Sequence, residues 1–137
     1  MSKKSNIFAA AEAVHAVCLI LAVKVIAPVC GGMVETAAGT QVPMRCHYTG
    51  NALLLLGTAL FVNAVLCAVR KEMAVCGAMA VMLSVLTFLT LSSSVGMGIC
   101  MNSSMACHFT AAFIKVLGAA GIVIGGISGY VGMKETK

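Results

Sequence analysis

The sequence predicts an all-α polytopic membrane protein: four transmembrane helices, built as two repeated hairpins in an antiparallel four-helix bundle with both termini cytoplasmic. Three observations predict it. Of the 137 residues, 61% are hydrophobic and only 9% charged, against roughly 25% charged in an ordinary soluble domain. So few charges would not cover a water-facing surface. The apolar residues also come in blocks of about 18 or more without amphipathic alternation, as membrane-crossing helices do. Finally, a short signature occurs twice, Met44-Arg45-Cys46-His47-Tyr48-Thr49 and Met105-Ala106-Cys107-His108-Phe109-Thr110, each time at the mouth of an apolar segment.

The elements follow in order. A polar leader with Lys3 and Lys4 precedes a first span over 7–29, about 34 Å at 1.5 Å per residue and long enough to cross a bilayer. That run is too long for the apolar core of a cleaved signal peptide, and no Ala-x-Ala site follows it. A loop rich in Gly, Thr, Glu, Gln and Pro covers 30–48, and the second span covers 49–69. Arg70-Lys71-Glu72 forms a tight polar turn before the third span, 73–95. A shorter loop over 96–109 leads into the fourth span, 110–132, and a charged tail ends the chain. The whole, 1–137, is a single membrane domain whose hairpins are 7–69 and 73–132. The register of the duplication continues inward, with Leu56-Gly57 matching Leu117-Gly118, and upstream the stretch 25–30, ending in Cys30, resembles 95–100, ending in Cys100. Hairpins inserted in the same sense are related by an axis along the membrane normal.

Orientation follows from the basic residues. Lys3, Lys4, Arg70, Lys71, Lys134 and Lys137 fall on one side, whereas the loops on the other side contribute only Arg45. Cytoplasmic flanks carry the Lys/Arg excess, so the termini and the short turn are expected in the cytoplasm and the two motif loops outside the cell membrane. The same placement accounts for the net charge of +5 without a nucleic-acid partner.

Seven cysteines divide under this topology. Cys30, Cys46, Cys100 and Cys107 lie in the outward loops, and Cys18, Cys67 and Cys76 in the spans. An even set outside the membrane reads as one disulfide per hairpin, Cys30–Cys46 and Cys100–Cys107, although sequence leaves other connectivities open. The alternative is chemical use of the thiols, since Cys46 and Cys107 sit near helix N-termini, where the dipole favours thiolate. Against a catalytic dithiol stands the lack of any Cys-x-x-Cys. The three intramembrane cysteines read as small apolar packing residues.

Around these cysteines the duplication pairs His47 with His108 and Met44 with Met105, and Met33, Met97 and Met101 add thioethers to the same face. Thioether and imidazole donors suit copper, and two facing histidines suit axial ligation of haem iron. The bland alternative for each His is a helix-start residue bonded to a nearby carbonyl. Thr49 and Thr110 read as polar caps for the spans they open.

Glu12 and His15 stand three apart on one face of the first span. An intramembrane carboxylate invites a coupling role in a small proton-coupled transporter, with an interfacial Glu–His pair as the plainer reading. Lys24 and Lys115, near the outer surface, are expected to snorkel toward head groups. Gly121, Gly125 and Gly129 form overlapping Gly-x-x-x-Gly motifs that allow close helix packing, within the bundle or in a homo-oligomer.

The duplicated Met-x-Cys-His-aromatic-Thr on four spans resembles a family of small bacterial membrane proteins classed as a domain of unknown function. The resemblance covers nearly the whole chain and implies the four-span fold without an assigned activity. It also implies a partner, an export-type ABC permease to which the protein would be an accessory subunit. The expected function is therefore non-enzymatic: binding of a metal, a haem or a partner transporter on the outer face. A membrane thiol–disulfide oxidoreductase and a Glu12-dependent transporter are the alternatives.

Overall fold

In the computed structural model, which describes residues 2–70, 72–92, 94–96, 98–99 and 106–135, four helices carry most of the chain. They are α1 (Ser2–Leu21), prolonged by a π-helical turn (Ala22–Ile26), α2 (Arg45–Arg70), α3 (Met73–Leu91) and α4 (Ala106–Glu135). All four are long and apolar enough to cross a membrane, so the chain is a multi-pass membrane protein. Helix α3 packs most extensively on α4, and α1 on α2; contacts of α2 with α3 and of α1 with α4 close the ring. An ion pair between Lys4 Nζ and Glu135 Oε1, 3.3 Å, brings the two chain ends to the same pole of the bundle.

Local chemistry explains where the helices stop. The π turn closes with the Ala27 N–H donating to Ala22 O at 2.9 Å. Pro28 then ends the helix, because it has no N–H to donate and disfavours helical geometry in the residue before it; Ala27 lies at φ −142°, ψ 70°.

The helices do not keep the bounds that hydropathy suggests. Both α2 and α4 begin about four residues earlier than the apolar runs, because the polar signature is itself the first helical turn, and α3 ends earlier, at Leu91. The first loop also holds a small antiparallel hairpin, β1 (Met33–Glu35) with β2 (Gln41–Pro43), in register Met33 to Pro43 and Glu35 to Gln41. Its connection turns at Gly39, whose φ of +76° suits glycine.

The α3–α4 seam depends on absent side chains. A Cβ at Gly77 would lie 2.6 Å from Gly125 O, and one at Gly125 would lie 3.0 Å from Gly77 O. Gly121 likewise meets α3 closely, whereas Gly129 is in ordinary contact with Ala74 and Ala78. The glycine stripe thus lies against α3. Leu19, Leu53, Leu60 and Ile114 fill the middle of the bundle.

Candidate metal centre

The first turns of α2 and α4 share one inward pattern. Cys46, Thr49, Gly50 and Leu53 are buried on α2, and Cys107, Thr110, Ala111 and Ile114 on α4. A helix advances about 100° per residue, so positions i, i+3, i+4 and i+7 fall on one face, and that face points to the bundle axis. The two threonine hydroxyls bind across the bundle. Thr49 Oγ1 donates to Gly98 O at 2.6 Å, and Thr110 Oγ1 donates to Ala27 O at 2.8 Å. These threonines are therefore not helix caps: the helices begin a turn before them, and their hydroxyls tie each hairpin to the loop of the other.

This arrangement gathers sulfur. The Sγ atoms of Cys30, Cys46 and Cys107 all lie within 4.8 Å of one another, with Cys46 and Cys107 each 1% exposed. Beneath them runs a narrow apolar pocket whose walls include Val29, Ile99, Leu53 and Ile114. The expected Cys30–Cys46 disulfide is not formed. Cys107 from the other hairpin enters the same space, so sulfurs of both hairpins converge there. Cys100, and with it the expected Cys100–Cys107 bond, lies outside the described residues, as do Met97, Met101 and Met105.

The histidines do not join this centre. His47 is exposed with its ring edge-on to Tyr48, centroids 5.9 Å apart, and His108 is half-buried. Met44 packs its methyl over Gly32 and donates its N–H to Gly32 O at 3.2 Å. Among the described residues, the cysteine trio is the one group of three or more His, Cys, Asp or Glu side chains placed to share an ion. Lys24 and Lys115 are exposed along the bundle flank.

A second polar cluster lies toward the other pole. Glu12 is 3% exposed, well inside the bundle. Asn63 Nδ2 donates to Glu12 Oε2 at 3.1 Å and to Cys76 O at 3.2 Å. The sole disulfide among the described residues joins Cys67 to Cys76 beside this carboxyl, so those two are not simple packing residues. Buried His15 Nε2 and Ser84 Oγ, without hydrogen-bond partners among the described residues, face the space over Gly121. Asn63 and Ser84 escaped the sequence reading. Their signal was polarity inside apolar spans; for the cysteine pair it was nearness to the 70–72 turn, three residues before Arg70 and four after Glu72.

Four apolar helices with a thiol-lined pole define the class, a small multi-pass membrane protein with a cysteine cluster able to hold a metal ion. The chain belongs to the family described as a domain of unknown function, DUF4418, whose model matches residues 12–131. No curated protein and no solved structure matches it.

Proposed function

We propose that this protein binds a soft metal ion, copper(I) foremost, at the outer face of the cell membrane through Cys30, Cys46 and Cys107. The observation that carries the reading is the convergence of three sulfurs from both hairpins within 4.8 Å. A thiolate–metal bond of about 2.3 Å spaces the sulfurs of a three- or four-coordinate site about 3.8–4.0 Å apart, so small side-chain adjustments close the site. Thiolates select copper(I) and zinc. Copper(I) accepts three ligands, the number of sulfurs that converge here, whereas structural zinc takes four. Sulfur rather than imidazole at the centre also favours copper over haem iron.

The basic flanks Lys3, Lys4, Arg70 and Lys134 support placing this pole outside the cell, opposite the termini. The protein then acts as a binding module, alone or beside a membrane transporter.

The test is copper(I) loading of the detergent-purified protein under a competing chelator. One ion per chain is expected, lost on Cys46→Ser or Cys107→Ser and kept on His47→Ala and His108→Ala. Zinc in place of copper would change the metal; loss with the histidines would move the site. A second reading, thiol–disulfide exchange, draws on the same closeness of sulfurs. It predicts that oxidation joins two of the trio and that a dithiol separates them.

A further inference from the structure

At the opposite pole, where α2 and α3 are joined, the second sulfur pair has neighbours that a structural cross-link does not need. Cys67 lies three residues before the end of α2 and Cys76 three after the start of α3; the two are bonded, and both are buried. Beside them is a carboxyl group, Glu12, whose Oε2 is 3.8 Å from Cys67 Sγ. Asn63 holds that carboxyl at 3.1 Å while bonding the backbone of Cys76 at 3.2 Å. One amide thus fixes the acid relative to both halves of the disulfide.

We infer that Cys67 and Cys76 form a reversible dithiol–disulfide couple, with Glu12 as its acid–base residue, Asn63 as a positioning residue and a dithiol as its redox partner. A sulfur in a disulfide has no proton to share with Glu12. Once reduced, Cys67 has one, and the same separation then accommodates an S–H···O hydrogen bond. The site is therefore satisfied in the reduced state as well as the oxidised one. As a staple the bond closes only the short loop between α2 and α3, a sequence separation of 9, and loop-closure entropy is smallest for short loops. On the orientation proposed above, this pole meets the cytoplasm, where disulfides are mostly transient, catalytic or redox-sensing.

The exchange balances. A thiolate of the dithiol, its proton released to water, forms a bond to Cys76 Sγ as the Cys67–Cys76 bond breaks. Cys67 leaves with the electron pair and takes a proton from the Glu12 carboxyl, which regains one from water. The second thiol then attacks the mixed disulfide, and its proton goes to the departing Cys76. Two electrons and two protons have entered the couple, and the partner leaves as a disulfide.

The full chain in detergent, treated with dithiothreitol or its oxidised form and then trapped by alkylation and peptide mass mapping, tests this. Cys67 and Cys76 should open and re-form without unfolding. Glu12→Gln keeps an oxygen for Asn63 but has no acidic proton, and should slow both directions about 100-fold with the final ratio unchanged; Glu12→Asp should fall between. The couple is refuted if the bond is absent from the oxidised protein or yields only after denaturation. Equal rates in wild type and Glu12→Gln would remove Glu12 from the chemistry. Mass mapping reads this pair apart from Cys30, Cys46 and Cys107, so the result stands whichever way the metal experiment falls.

Discussion

Cys46 and His47 are neighbours in sequence, yet about 100° of helical rotation buries one at 1% exposure and leaves the other in the open. The duplicated motif announced that something was shared between the hairpins. Which of its residues met could not be read without the helix phase, and that depended on where the first turn began. Glycine positions make a sharper residue-scale prediction. A methyl added at Gly121 would lie 2.7 Å from His15 Nε2 and closer still to Ser84 Oγ. Gly121→Ala should therefore cost about 1–3 kcal/mol, read by circular dichroism during thermal unfolding in detergent. Gly126→Ala, which points into open space, should leave the midpoint unchanged or slightly raised.

Among the elements, α2 and α4 hold the centre together through Thr49 and Thr110. Each hydroxyl is buried and reaches a carbonyl on the other hairpin. Removing it in Thr49→Val or Thr110→Val strands that carbonyl, at a cost of about 1–3 kcal/mol. Because the same bonds set the spacing of Cys46 and Cys107, the variants should also release copper(I) to a chelator more readily than wild type. Hydropathy located four spans and a polar turn, since block length and composition carry that information. It did not locate the early starts of α2 and α4, because Arg45, His47 and Thr49 are polar without being helix-breaking. Nor did it find the β1–β2 hairpin, whose Thr36–Thr40 connection lacks the Asn-Gly or Asp-Gly that marks a tight turn. The nearness of Cys67 and Cys76 to the turn, on either side of it, was legible, but small apolar residues in a span rarely mean more than packing.

Across the whole molecule, two sulfur clusters stand at opposite poles of one bundle with an apolar middle of Leu19, Leu53, Leu60 and Ile114 between them. Sidedness then matters as much as geometry. A fluorescent protein fused after Lys137 should glow, and alkaline phosphatase fused there should be inactive, if the termini face the cytoplasm; the reverse pair would invert both poles. At the three-cysteine pole the ligands are decisive. Copper K-edge absorption on the loaded, reduced protein measures them directly. The account predicts a first shell of sulfur alone, held by Cys30, Cys46 and Cys107. Imidazole scattering in that shell, or no copper retained against a chelator, would contradict it.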